Sequence, residues 1–142
     1  ESDMRTKGMV IGAAVVVGSC LVSVMAAQQV PNRIDYDTFC KLPDFDAKRT
    51  AFKTTTAESR GDIVRTHLER WRDVNRARLN DKQIAYLASL IGSITSDSYS
   101  DGPKGEEARV KSRAIIESNV GLFPQEDMQA MQPFAPCIPK AK

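Results

Sequence analysis

Ile63-Val64-Arg65-Thr66-His67-Leu68-Glu69-Arg70-Trp71-Arg72-Asp73-Val74 is the stretch on which the fold turns. Ile63, Val64, His67, Leu68, Trp71 and Val74 recur at steps of three and four, which lays them along one stripe of an α-helix. Arg65, Arg72 and Arg76 fall on the opposite face. The pattern runs over residues 57–78, with Gly61 as a weak point costing about 1 kcal/mol relative to alanine. Just upstream, Thr55-Thr56-Ala57-Glu58 has capping-box spacing, with Thr55 at the cap and Glu58 three residues on. Just downstream, Asn80-Asp81-Lys82-Gln83 offers a second box, Asn80 capping and Gln83 reciprocating. It opens a helix whose stripe is Ile84, Leu87, Ala88, Ile91 and Ile94. The link at Leu79-Asn80 is short, so these two helices form antiparallel neighbours or a sharply turned pair.

The flanks continue in the same style. A first short helix fits residues 36–42, carries Phe39 and Cys40, and stops at Pro43. A second fits residues 46–53, anchored by Phe45 and Phe52. Residues 95–105, TSDSYSDGPKG, read as a surface loop. A further helix covers residues 106–119 through Val110, Ala114 and Ile115 or Ile116, and Gly121 suits its end. Pro124 suits the first turn of a last short helix through Met131. The tail from Gln132, with Pro133, Pro136 and Pro139, reads as extended. No segment sustains the period-two alternation of a strand. The expected fold is all-α, a small bundle of three to five helices with an extended Pro-rich C-terminal tail, preceded by a hydrophobic signal helix.

That signal helix lies in the longest uncharged run, between Lys7 and Arg33. Met4-Arg5-Thr6-Lys7 supplies a start and a positive head, residues 9–25 an apolar middle, and Val24-Met25-Ala26 small or β-branched residues before a cut. This is the build of a secretory signal peptide cleaved between Ala26 and Ala27. Residues 1–26 are then the signal and residues 27–142 a single helical domain, exported to a bacterial periplasm or medium. Two alternatives stand beside this reading. Residues 9–27 approach the length of about 20 apolar residues that spans a bilayer, which would make the segment a retained anchor. Val17-Gly18-Ser19-Cys20 resembles a lipobox, which would make Cys20 a lipidation site, although apolar residues continue past it. Membrane contact is expected through this segment alone.

The chain of 142 residues has three cysteines, an odd number. Cleavage removes Cys20 and leaves Cys40 and Cys137, which in an oxidising compartment are expected to pair. A loop so long corresponds to about 4–5 kcal/mol of stabilisation on chain-entropy grounds.

Catalytic and metal-binding patterns are absent from the sequence. His67 is the single histidine, with no H-E-x-x-H and no C-x-x-C, and Asp97 and Asp101 lack EF-hand spacing. G-x-S-x-G and Gly-rich phosphate loops are missing too. His67, one turn from Trp71, reads as a core or boundary residue rather than a general base. Glu106-Glu107 and Glu126-Asp127 suit the positive ends of helices. No cofactor, metal or enzymatic activity is therefore expected. Charge is uneven: residues 48–82 hold ten Lys or Arg against five Asp or Glu, in a chain of net charge +2. Arg60, Arg65, Arg70, Arg72, Arg76 and Arg78 form a candidate patch for an anionic envelope component, with a solvated charged face as the simpler reading. Nucleic acid is not expected, because no aromatic stacking platform accompanies these arginines.

Leu42-Pro43, Arg49-Thr50-Ala51-Phe52, Thr66-His67-Leu68, Leu79-Asn80-Asp81-Lys82-Gln83-Ile84, Ile94-Thr95-Ser96-Asp97-Ser98-Tyr99 and the run from Leu122 to Met128 give the chain a family likeness. Over roughly residues 36–130 it resembles the exported bacterial proteins related to the bacteriocin fulvocin C. It departs from that pattern at Thr54-Thr55-Thr56-Ala57-Glu58, where a Leu-Ser-Pro-Glu cap would stand, and it lacks a cysteine-rich C-terminal segment. The resemblance implies an exported, bacteriocin-associated protein and carries over no catalytic residue. The step from Leu79 to Gln83 also resembles one copy of the Leu-Thr-x-x-Gln signature of small helical periplasmic stress chaperones, which carry it twice. The sequence thus points to a non-catalytic binding or interaction protein, with a chaperone or a membrane-anchored envelope protein as alternatives. Protein recovered from its native compartment is expected to begin at Ala27 and to gain two alkylatable thiols on reduction. Intact mass with N-terminal sequencing checks both, and two thiols free before reduction would refute the bridge.

Overall fold

The computed structural model describes residues 32–140. The export segment, with Cys20, Ala26 and Ala27, lies outside the described residues. The chain from Asn32 onward forms a compact unit of its own. Its described part is all-helical, with no strand. Four helices have ten residues or more: α2 (Phe45–Thr54), α3 (Ala57–Asn75), α4 (Asp81–Ser93) and α5 (Pro103–Glu117). Two short ones, α1 (Tyr36–Cys40) and α6 (Gln125–Ala130), flank them. No helix among the described residues is long and apolar enough to cross a membrane.

Caps set where these helices begin. Asp35 accepts from the Thr38 amide at 2.7 Å and Asp44 from that of Ala47 at 2.8 Å, so α2 starts one residue before its expected position. The cap of α3 is Thr56, accepting from the Ser59 amide at 3.1 Å, not Thr55. The Thr55 hydroxyl is buried and donates to the Asn32 carbonyl at 2.7 Å, while Glu58 pairs with Arg33. The expected box fails because its two members tie down the incoming chain. Ser59 helps, accepting from the Ile34 amide at 3.2 Å. At α4 the box forms in full, Asn80 accepting from the Gln83 amide at 2.8 Å and Gln83 from that of Asn80 at 3.0 Å.

Helix α3 is the centre of the domain. Ile63, Val64, His67, Leu68 and Trp71 are buried, as the stripe requires. Val74 is not, at 57% exposed, because Trp71, Leu79 and Phe123 already close that end of the core. A 3-10 turn, Arg76–Arg78, then reverses the chain into α4. The pair is antiparallel: Gly61 in the first turns of α3 abuts Thr95 just past α4, and Arg65, midway along α3, donates to the Ile94 carbonyl at 3.0 Å. Helix α4 lies between α3 and α5 and buries Tyr86, Leu87, Leu90 and Ile91. Ala88, expected inside, is exposed, since packing on two neighbours turns a broader face inward than a single stripe.

Helix α5 departs most from expectation. It starts at Pro103 rather than residue 106, because proline at the first helical position presets the backbone. Val110 and Ile116 are 47% and 41% exposed and Ala114 is exposed, leaving Ile115 as its inward apolar residue. The chain leaves α5 through Gly121 at φ +86°, a left-handed conformation suited to glycine. Pro124 precedes α6 rather than joining it. Residues 132–140 hold no helix, and Phe134 packs on Phe45 and Phe52 with centroids 5.5 and 5.4 Å apart. Cys137 is thereby brought to Cys40, and the two form a disulfide with Cα atoms 5.8 Å apart, across 97 residues of sequence.

Two glycines are required by close approach. A Cβ on Gly61 would lie 2.8 Å from the Thr95 carbonyl oxygen, and one on Gly105 would collide with the Ser100 carbonyl. Gly61 is therefore the point where α3 admits the chain leaving α4, which inverts the helix-propensity expectation. Gly92, by contrast, has nothing near an added Cβ. Urea unfolding should show Gly61→Ala and Gly105→Ala each losing about 1–3 kcal/mol, the usual range for overpacking. Gly92→Ala should gain about 0.5–1 kcal/mol from helix propensity.

Candidate functional site

Three places on the domain hold polar or reactive groups: the His67 node, the arginines of α3, and a cleft beside α5. His67 has no exposed surface. Its Nε2 lies 2.7 Å from the Ala130 carbonyl, which can only accept, so Nε2 carries the proton. Burial favours the neutral imidazole, in which Nδ1 accepts from the Tyr36 hydroxyl at 2.5 Å while that hydroxyl accepts from the Ile138 amide at 3.2 Å. Both ring nitrogens are bonded and the ring is enclosed. It joins α1, α3 and α6, an architectural role for the single histidine. No group of three or more His, Cys, Asp or Glu suited to a metal occurs among the described residues.

The six candidate arginines turn to different neighbours. Arg60 donates to the Thr55 carbonyl at 3.3 Å, and its Nε is buried without a partner among the described residues. Arg65 pairs with Asp62 and binds the Ile94 carbonyl. Arg70 pairs with Asp37 at 2.8 Å and sits over the Tyr36 ring at 4.9 Å. Arg72 and Arg76 share Asp73, at 3.0 and 3.8 Å. Arg78 grips Asp127 with two bonds of 3.1 and 2.8 Å and covers Trp71 at 5.4 Å. Five of the six thus meet a carboxylate within the domain. Asp127, expected only to favour a helix dipole, is a buried anchor for Arg78.

The cleft lies between α5 and the faces of α3, α4 and α6. It encloses about 380 Å³, within the usual range for small-molecule sites. Val64 and Leu68 of α3, Tyr86 and Leu90 of α4, and Met128 and Met131 form apolar walls. The α5 wall is Arg109, Ser112, Arg113 and Ile116, spaced i, i+3, i+4, i+7. A helix sealing a core places apolar residues at those positions. Here two guanidinium-bearing residues and a serine occupy them. Arg109 is held at the mouth by the Ser98 and Ser100 carbonyls, at 3.3 and 2.9 Å, and by Glu106 at 3.3 Å. Ser112 bonds Ser93 at 2.7 Å. Arg113 is exposed and has no carboxylate partner among the described residues. Arg109, Ser112 and Arg113 did not stand out in the sequence, although the 109/112/113/116 spacing was its visible trace. A second depression lies between α4 and α5, lined by Ala85, Ser89, Ala114 and Ile115.

In comparison with known proteins, no family model, curated protein or solved structure matches the chain.

The His67 node makes a pH prediction. Burial lowers the His67 pKa from 6.5, the Ala130 bond opposing in part. The unfolded chain therefore binds the proton more readily, and stability is lost as pH falls from about 6.5 towards the depressed folded value. With one histidine in the chain, the slope of unfolding free energy between pH 6.5 and 5 should approach at most about 1.4 kcal/mol per pH unit. Urea unfolding across that interval measures it. A flat profile would show that His67 is not held neutral.

Proposed function

We propose that the protein is a small, exported, non-catalytic binding protein of the bacterial envelope or medium, and that its binding site is the cleft between α5 and the core. The observation that carries this reading is the α5 stripe, in which Arg109, Ser112 and Arg113 occupy positions a closed bundle fills with apolar side chains. Leaving about 380 Å³ unfilled against Leu68, Leu90 and Met131 forfeits packing that a ligand can restore. The methionines favour this use, because their unbranched, polarizable side chains adapt to what they contact. Export is supported by the positive head and apolar run of the N-terminal segment, and by the Cys40–Cys137 bridge, which persists in oxidising compartments. A bacteriocin-associated setting, suggested by resemblance, is compatible with such a role and adds no residue to the site.

A neutral apolar dye, N-phenyl-1-naphthylamine, tests the site. Its fluorescence should rise saturably with the full-length protein and lose that component in Ile116→Trp, which adds bulk at an exposed position on the cleft rim. Retention of the full signal by a folded Ile116→Trp protein would refute the cleft as the site.

A further inference from the structure

We propose that the ligand of this cleft is a single-chain amphiphile with an anionic head, a fatty carboxylate whose tail lies along the apolar walls and whose head meets Arg113. The inference rests on the binding-protein reading and adds to it a ligand class. Shape gives the first argument. The cleft is a depression of about 380 Å³ walled by Val64, Leu68, Tyr86, Leu90, Met128 and Met131, a lining that suits an alkyl chain.

Charge gives the second argument. Arg109 spends three of its five N–H donors on the Ser98 and Ser100 carbonyls and Glu106, which fixes it at the mouth with its charge already paired. Ser112 is engaged by Ser93. Arg113, one turn along the same stripe, has neither a carboxylate nor a carbonyl partner among the described residues, while facing walls made by Val64, Leu68, Tyr86 and Leu90. A cation at the edge of an apolar cleft complements a ligand that is apolar along its length and negative at one end. An alcohol brings no charge to pair with that guanidinium, and an ammonium is repelled by it. Placing the charge at an exposed position also spares the head group full desolvation, so a carboxylate binds ionised.

Calorimetric titration of the full-length protein below micellar concentrations tests this with decanoate, decan-1-ol and decyltrimethylammonium. Decanoate should bind about threefold or more tightly than the other two, the preference expected of an exposed ion pair. Octanoate, decanoate and dodecanoate should gain about fourfold per added methylene until the cleft is full. Arg113→Lys should keep the preference and Arg113→Glu should remove it. Ile116→Trp should weaken all three ligands together. Equal binding of decanoate and decan-1-ol, both sensitive to Ile116→Trp, would overturn the anionic head while leaving the cleft as the binding site. Absence of decanoate binding, or decanoate binding indifferent to both Arg113→Glu and Ile116→Trp, would overturn the inference outright.

Discussion

His67 holds three parts of the chain at fixed separations, and the rest of the domain is arranged around that requirement. An imidazole presents its two nitrogens on different sides of a rigid ring. It can satisfy both inside a core only if a donor and an acceptor arrive from different directions. Tyr36 brings α1 to one side and the Ala130 carbonyl brings the end of α6 to the other. The Ile138 amide, one residue past Cys137, closes the chain of bonds on the Tyr36 hydroxyl. The disulfide and the hydrogen-bond chain thus form one assembly, each holding the other's partners in place. Breaking a buried bond of this kind leaves a group unsatisfied at a cost of about 1–3 kcal/mol. The effect would reach further than the node, because Met128 and Met131, which wall the cleft, belong to α6 and its end.

Parts of this were legible in the residues. The stripe from Ile63 to Trp71 and the Asn80–Gln83 box depend only on neighbours within two turns, and both are present as read. The Cys40–Cys137 pairing followed from counting thiols once Cys20 was assigned to the export segment, and the bridge is present. What was not legible depended on distant contacts. Thr55 and Thr56 are chemically alike, and the choice of cap was made by Asn32, which claims the first hydroxyl. Gly61 read as a defect because the Thr95 carbonyl that requires it lies after a whole intervening helix.

Helix α5 shows the same limit at the candidate site. Its sequence carries two competing stripes, Val110 with Ala114 and Arg109 with Ser112, Arg113 and Ile116. Hydrophobicity favours the first as the inner face. The structure exposes Val110 and Ala114 and sets the second along the cleft, with Arg109 and Ser112 half-buried and Arg113 and Ile116 exposed at its rim. Arg109 decides the rotation, since its guanidinium supplies donors to the Ser98 and Ser100 carbonyls of the preceding loop. A local polar demand at the start of the helix therefore outweighs the weak apolar preference of its middle, and the cleft is the result. The arginines of α3 and of the turn that follows it behave in a related way. Their abundance suggested a surface field, yet Asp37, Asp62, Asp73 and Asp127 meet five of them, so their charge is neutralised largely within the domain.

The bridge between Cys40 and Cys137 also determines how the domain carries mechanical load. It turns residues 40–137 into a covalent ring from which the two ends of the chain emerge side by side. Tension applied between those ends passes from one stretch of backbone to the other through the sulfur atoms, so the helices inside the ring cannot be drawn out in line. The segments ahead of Cys40 and beyond Cys137 bear the load, and with them the contacts of Tyr36 to His67 and of Ile138 to Tyr36. Helices α2 to α6 stay joined within the ring until a covalent bond gives way.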